Sequence, residues 1–389
     1  MASALVRSVS DATRRLLAWG VLGYALLLGF RDYVTQIRAG GEVWRSGDWL
    51  INYGGGFIRR GLLGELMLRI TPTNVPATLW AVFAVQSACY AILVAYFVRF
   101  LRHANHSWGA VALACSPAGI AFMGWDPQGG FRKEIIGLAA LALLAWNTHA
   151  AGSRRNSRAR LIAAVTMLAI GAFSWEATAV LLPAMWFLLM KTRHPSKRAR
   201  VGTGLIATAL VIAGTAASTK FHGDDAHVVD VCSRLVARGF DMAYCGFNTP
   251  ITALSWSLQS NIDTVRSSLP MTLWYIPLMA LAALPLVSST WVRHHKASAL
   301  AIVLPVFVLY AIAIDFGRWT HLWFTALAIV VMSQRGAFVR GWNFVTVALY
   351  VTAWGIPHCI IPEFTPKWPW LGLLHSAIGF DPVQRILGA

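Results

Sequence analysis

Acidic side chains are scarce in this chain. Sixteen Asp and Glu stand among 389 residues, and charged residues of both signs make up only 13%. A soluble domain carries roughly 25%, so an ordinary water-facing surface is excluded. Five cysteines in so long a chain exclude a secreted disulfide scaffold. A P-loop, a dinucleotide fingerprint, a Ser/His/Asp nucleophile elbow and internal repeats are also missing, which removes the motif-bearing nucleotide enzymes and the simplest transporter signature. What the chain has instead is apolar sequence. Hydrophobic residues make up 57%, and the mean hydropathy is +0.57. Many runs reach the roughly 17–25 residues that carry a helix across a bilayer. The expected fold class is an all-α polytopic membrane protein, a single domain over 1–389.

Eleven spans are expected, near 16–30, 76–98, 107–125, 135–150, 161–174, 176–190, 201–218, 271–290, 298–314, 321–333 and 343–360. No small-residue cleavage site follows the first, which reads as a retained helix rather than a signal peptide. The stretch 161–190 is broken by Ser174-Trp175-Glu176 and reads as two short helices meeting at Glu176.

The net charge of +17 first suggests nucleic acid, but no nucleic-acid module accompanies it. Eighteen of the 33 Lys and Arg, Arg14, Arg154, Arg193 and Arg335 among them, fall in one alternating set of segments, with Asp11 the single acid there. By the positive-inside rule that set, and with it the N-terminus, is cytoplasmic. The C-terminal tail and the other loops lie outside, in a periplasm if the source is Gram-negative. The expected location is the cytoplasmic (inner) membrane. Fifteen basic and fifteen acidic residues remain for the outer face, where Arg needs a reason to stay.

Four parts of the sequence bring charge to that face. The first is the outer loop 31–75, which holds Asp32, Asp48, Gly54-Gly55-Gly56, Arg59 and Arg60. From Phe57 to Ile70 its apolar residues form a stripe suited to a helix lying in the membrane interface. Three glycines before a helix N-terminus, with two guanidinium forks, suit a lipid phosphate or diphosphate. A glycine turn with Arg reaching to headgroups is the plainer alternative. The second is Trp125–Glu134, with Asp126, Arg132, Lys133 and Glu134, where a structural Asp126–Arg132 turn is the alternative to a site. Glu176 is the third. Asp315-Phe316-Gly317-Arg318-Trp319-Thr320-His321 is the fourth.

The larger outer loop 219–270 contains Cys232 and Cys245, which form either a disulfide in an oxidising compartment or two free thiols. His222, Asp224, Asp225, His227 and Asp230 follow no zinc spacing and read as a solvated polar loop.

With these features placed, the chain resembles the GT-C superfamily of integral membrane glycosyltransferases. The likeness rests on layout: ten or so spans, a long first outer loop with an interfacial helix, and Asp32-Tyr33 directly after the first span, followed by Gly47-Asp48. A single acid stands where many members have a pair. The strings GGGFIRRGLLGE, FRKE and DFGRW are also similar to segments of Wzy-type surface-polysaccharide polymerases. The resemblance implies a polyprenyl-(di)phosphate sugar donor, a glycan or glycolipid acceptor, a carboxylate base and outer-face arginines on the lipid phosphate.

On this reading Asp32 is the base, with Asp48 or Asp126 as alternatives. Arg59, Arg60, Arg132 and Lys133 neutralise the departing phosphate, assisted by Arg318 and His321. Glu134, Glu176 and Asp315 orient the cations or bind sugar hydroxyls. No cofactor is required by the sequence; a divalent ion between carboxylates and a diphosphate stays open. The rival class is a transporter or flippase of lipid-linked or anionic substrates.

Overall fold

The computed structural model describes residues 2–71, 74–103, 107–149, 154–192, 196–334 and 339–359. Among them helix dominates, and the strand-like pairing is an isolated antiparallel bridge between Ser289 and Val339. Three described helices are long and apolar enough to cross a bilayer: Val75–Arg102, Arg154–Ser174 and Lys197–Lys220. Shorter apolar helices occupy Glu134–Thr148, Tyr275–Val287 and Lys296–Ile312. Arg193, Arg335 and the C-terminal tail lie outside the described residues.

Several elements depart from the sequence expectation, each for a local reason. The first helix runs Ala2–Arg38, so Asp32 sits on its last turns rather than in a loop. It stops where Gly40 and Gly41 take positive φ, 100° and 96°, a conformation that ends helices at little cost only for glycine. The expected span 107–125 is not one helix. It is Trp108–Ala114 followed by turns and the short helix Phe122–Trp125, because Pro117 cannot supply a helical N–H. The break is buried, and Ser116 Oγ satisfies it by accepting from Ala118 N at 3.3 Å and meeting Tyr350 Oη at 2.8 Å. Proline has the same effect at Leu304–Val306, a 3-10 turn that splits the expected span 298–314. The last described helix covers Phe344–Thr352, shorter than 343–360, with Gly355 and Pro357 in the irregular stretch beyond it.

The helix expected to lie in the membrane interface is also shorter than its apolar stripe. It covers Gly61–Ile70, not Phe57–Ile70. Gly64 lies flat on the preceding strand of chain, where an added Cβ would sit 1.9 Å from Ile51 O. The helix therefore packs by its glycine face, burying Gly61, Gly64, Glu65 and Leu68, while Leu66 and Ile70 stay exposed.

Contacts group the single expected domain into two units. One comprises Met1–Arg31, Val94–Gly130 and Thr264–Ala389; the other comprises Asp32–Leu93 and Phe131–Asp263. In the second unit Glu134–His149 packs along Arg154–Ser174. Asn147 Nδ2 donates to Ser157 O at 3.0 Å and Asn147 Oδ1 accepts from Arg160 Nε at 2.7 Å. Such buried polar links hold apolar helices together where lipid gives them no other reason to associate. Trp175, extended at φ −161° and ψ 106°, ends Arg154–Ser174, and a 3-10 turn Glu176–Leu181 leads into Leu182–Lys191. In the first unit the buried helix Phe316–Met332 is the centre, fixed by Tyr96 Oη donating to Ile329 O at 3.1 Å.

Candidate functional site

The unit Asp32–Leu93 plus Phe131–Asp263 is built around Phe131. Trp49, fully buried, donates from Nε1 to Phe131 O at 3.0 Å. Gln86 Nε2 donates to the same oxygen at 2.7 Å. These bonds fix the segment around Asp48 against the turn that carries Arg132 and Lys133. Asp48 is 1% exposed and lies 3.4 Å from Arg132 Nε and 3.8 Å from Lys133 Nζ. Arg132 also stands over the Trp44 ring at 5.4 Å. Lys133 Nζ donates to Arg60 O at 2.9 Å. Burial pulls Lys133 down to about 8, an effect only partly reversed by Asp48. One carboxylate thus faces two buried cations, and the surplus charge is positive.

Arg60 adds a third cation. It is held in the left-handed region at φ 65°, which costs a non-glycine residue roughly 1–2 kcal/mol. That turn separates its two ends. Its carbonyl meets Lys133, while its guanidinium grips Glu176 through Nε at 2.9 and 3.1 Å and through Nη2. Arg59 is spent differently. Its Nη2 donates to Ala253 O at 2.9 Å and Leu254 O at 3.2 Å, anchoring the chain. Burial and the neighbouring Arg60 lower it to about 10, against an opposing pull from Glu176. Glu134 opens the helix Glu134–His149, where an acid complements the helix dipole.

Asp32 is a half-exposed carboxylate of this unit. Its side chain is 45% exposed, and Oδ2 accepts from Arg45 Nη2 at 2.7 Å. Arg45 itself is buried, with its guanidinium 4.8 Å from the Tyr33 ring and 5.7 Å from Phe131. Its Nε and Nη1 have no partner. The sequence reading missed Arg45; an Arg kept beside Trp44 in a loop expected to be translocated was the available signal.

The triple glycine does not form the expected anion cradle. Gly54 N donates to Asn52 Oδ1 at 2.9 Å and Gly56 N to Tyr53 O at 3.2 Å, so those N–H groups are used. The Asp230 carboxylate also packs against Gly55, where an added Cβ would be 2.6 Å from its Oδ2. An acid in that place repels an anion.

A family model described as uncharacterised membrane protein Rv1490 matches residues 34–266. The chain belongs to this family. Together with the apolar helices, that makes it a membrane-embedded protein. No curated protein and no solved structure matches the chain. The stretch shared with the Rv1490 family begins and ends close to Asp32 and Asp263, the limits of the unit just described. The Asp48–Arg132–Lys133 cluster therefore lies within the family portion. So do Cys232 and Cys245, which form a disulfide with Cα atoms 5.9 Å apart. It joins the helix Asp225–Val236 to the 3-10 turn Met242–Cys245. In the same loop Asp224 Oδ1 caps that helix by accepting from His227 N at 3.0 Å.

Four of the sequence candidates belong to the other unit, outside the unit the Rv1490-family match brackets or at positions interrupting it. Asp126 Oδ1 accepts from Gly129 N at 2.8 Å, and Oδ2 accepts from His358 N at 2.5 Å and lies 2.6 Å from His358 Nδ1. Its carboxylate is engaged by these groups, a structural part different from the Asp126–Arg132 turn weighed as the alternative to a site. Asp315 pairs with Arg318 Nη1 at 2.5 Å. His321 is buried; its Nδ1 lies 3.0 Å from Ala118 O, and its ring stacks on Phe122 at 4.7 Å. That makes His321 a fastener between Phe316–Met332 and the break at Pro117. His358, which holds Asp126, was not singled out by sequence.

Proposed function

We propose that this protein is a membrane glycosyltransferase that takes its sugar from a polyprenyl-(di)phosphate donor at the outer face of the cytoplasmic membrane and serves cell-surface glycan or glycolipid assembly. The layout expected from the sequence, with a cytoplasmic N-terminus and charge gathered on the outer face, is similar to GT-C and Wzy-type enzymes and supports this reading. The observation that carries the reading is the buried Asp48–Arg132–Lys133 cluster. A two-to-one surplus of cations inside a water-poor wall is what a departing lipid phosphate needs. Charge stabilisation there is worth far more than in water and requires no reorganisation during the reaction.

The roles follow from exposure and bonding. Arg132 and Lys133 meet the phosphate oxygens, with Asp48 positioning both. Arg60, fixed by Glu176, adds charge from the side. Asp32 is the base: among the three candidate carboxylates its side chain is the most exposed, 45% against 2% for Asp48 and 11% for Asp126, and Arg45 orients it. Arg59, committed to backbone carbonyls, has a structural part.

The test is transfer from a lipid-linked sugar donor by purified protein, paired with glycan analysis of a deletion strain. Asp32→Asn keeps an acceptor for Arg45 but cannot take a proton, and Arg132→Gln removes a charge-stabilising donor. Each should lower the rate by on the order of 10²–10³. An unchanged glycan in the deletion strain, or near-wild-type transfer by Asp32→Asn, would overturn the proposal and leave a transporter of anionic lipids as the better reading.

A further inference from the structure

In the unit made of Met1–Arg31, Val94–Gly130 and Thr264–Ala389, the ligand atoms of Asp315, His358 and Cys359 all lie within 4.8 Å of one another. One carboxylate, one imidazole and one thiol converge from two separate stretches of chain. Among the described residues no other group of three such side chains does so. The histidines and acids of residues 222–230 do not.

The surroundings of these three residues have the form of a metal site's outer layer. Asp126 Oδ2 faces His358 Nδ1 at 2.6 Å, which fixes the ring and leaves Nε2 as the nitrogen able to bind a metal. A carboxylate behind a ligating imidazole in this way sets its tautomer and raises its basicity. Asp315 is likewise backed, by Arg318 Nη1 at 2.5 Å. The backbone is fixed too. Gly317 N donates to His358 O at 3.0 Å, and Tyr275 Oη donates to Pro357 O at 2.9 Å. Gly317 makes the approach possible, since an added Cβ would fall 1.8 Å from Pro357 O. The close contact sets the start of the helix Phe316–Met332, and with it Asp315, against His358 and Cys359.

From this geometry we infer that Asp315, His358 and Cys359 form a binding site for a zinc-class divalent cation. The donor set decides the class. Thiolate and imidazole exclude magnesium and calcium, which take oxygen ligands, and suit a borderline-soft ion in tetrahedral coordination. Three protein ligands leave the fourth position for solvent or a substrate oxygen. Cys359 binds as thiolate and releases its proton to water. Neither a glycosyltransferase nor a transporter role is assumed in this assignment, and its readout is independent of transfer activity.

The test is cobalt titration of the chelator-stripped, purified full chain in detergent. A saturable thiolate-to-cobalt absorption band at one equivalent is expected, displaced by zinc. The band should vanish in Cys359→Ser and persist in Cys89→Ser and Cys115→Ser. Asp126→Asn should keep the band while weakening cobalt binding about 10- to 100-fold, the usual effect of losing an outer partner. No saturable band, or a band that survives Cys359→Ser, would overturn the inference. The Cys89 and Cys115 variants, with a monodisperse elution profile for every protein, separate loss of the site from loss of the fold.

Discussion

Two buried aspartates, one in each unit, show how neighbours decide what a carboxylate does. Asp48 lies between Arg132 and Lys133, outnumbered by cations, and its part is to make their burial tolerable. Asp126 faces an imidazole and two backbone N–H groups, and its part is to aim a ring. The first arrangement has positive charge to spare and, on the function proposed above, takes an anion. The second presents carboxylate, imidazole and thiol together and takes a cation. Sequence position does not separate the two acids, because both stand beside glycine and tryptophan near a membrane boundary. The difference comes from the partner brought in from elsewhere in the chain: Arg132 and Lys133 for one, His358 for the other.

Removing each carboxylate is the strongest way to break this contrast. Asp48→Ala leaves two buried cations uncompensated and should cost about 3–5 kcal/mol of unfolding free energy. Adding Lys133→Met should recover part of that loss, since one stranded charge is then gone. Asp126→Ala leaves two backbone N–H donors and an imidazole, which can shed its proton, without their acceptor and should cost less, about 1–3 kcal/mol. Thermal or denaturant unfolding in detergent reads both. Equal losses would mean that the two sites do not differ in kind.

The next largest effect separates the units by covalent chemistry. Cys232 and Cys245 are thirteen residues apart, and closing a loop of that order stabilises by about 3 kcal/mol. Cys232→Ser/Cys245→Ser should therefore lower the stability of the unit that holds Asp48. The cobalt band assigned to Cys359 should remain. If the band disappears with the disulfide, the metal site and the disulfide-bearing unit are not separable in the way the contrast requires.

Much of this arrangement was legible in the sequence, and what was not has a common cause. Composition and apolar run length were enough for an all-α membrane protein, because lipid leaves a chain few other ways to satisfy its backbone. The charged residues were legible as a set, since retaining Arg132, Lys133 and Arg60 on a face expected to be translocated has a cost. Their pairing was not. Glu176 meets Arg60 across a long stretch of chain, and nothing local to either residue specifies it. The triple glycine misled for a related reason: its N–H groups were counted as available, whereas Asn52 and Tyr53 supply acceptors within the same turn. The helix break at Pro117 was hidden by its apolar surroundings, in which hydropathy alone cannot distinguish a continuous span from a buried interruption. Arg45 and His358 matter only through partners, so they stood out in no motif.

The gentlest probe of the contrast is pH, since it alters one site through a single proton. Lys133 falls from an ordinary 10.5 to about 8, chiefly by burial. Between those two values the unfolded chain holds a proton on Lys133 that the folded chain has released. Stability therefore rises with pH across that window, because the unfolded state binds more protons there. Affinity for a phosphate moves the other way. Below about 8 Lys133 carries charge beside the two arginines; above it only Arg132 and Arg60 are left, and anion binding should weaken several-fold. Titration of inorganic pyrophosphate binding against pH should show an inflection near 8 that disappears in Lys133→Met. An inflection that survives this substitution would place the proton elsewhere and remove Lys133 from the phosphate site, leaving Arg132 and Arg60 to carry the anion. Opposite trends in stability and affinity, arising from one lysine, are the mark of a charge buried for binding rather than for the fold.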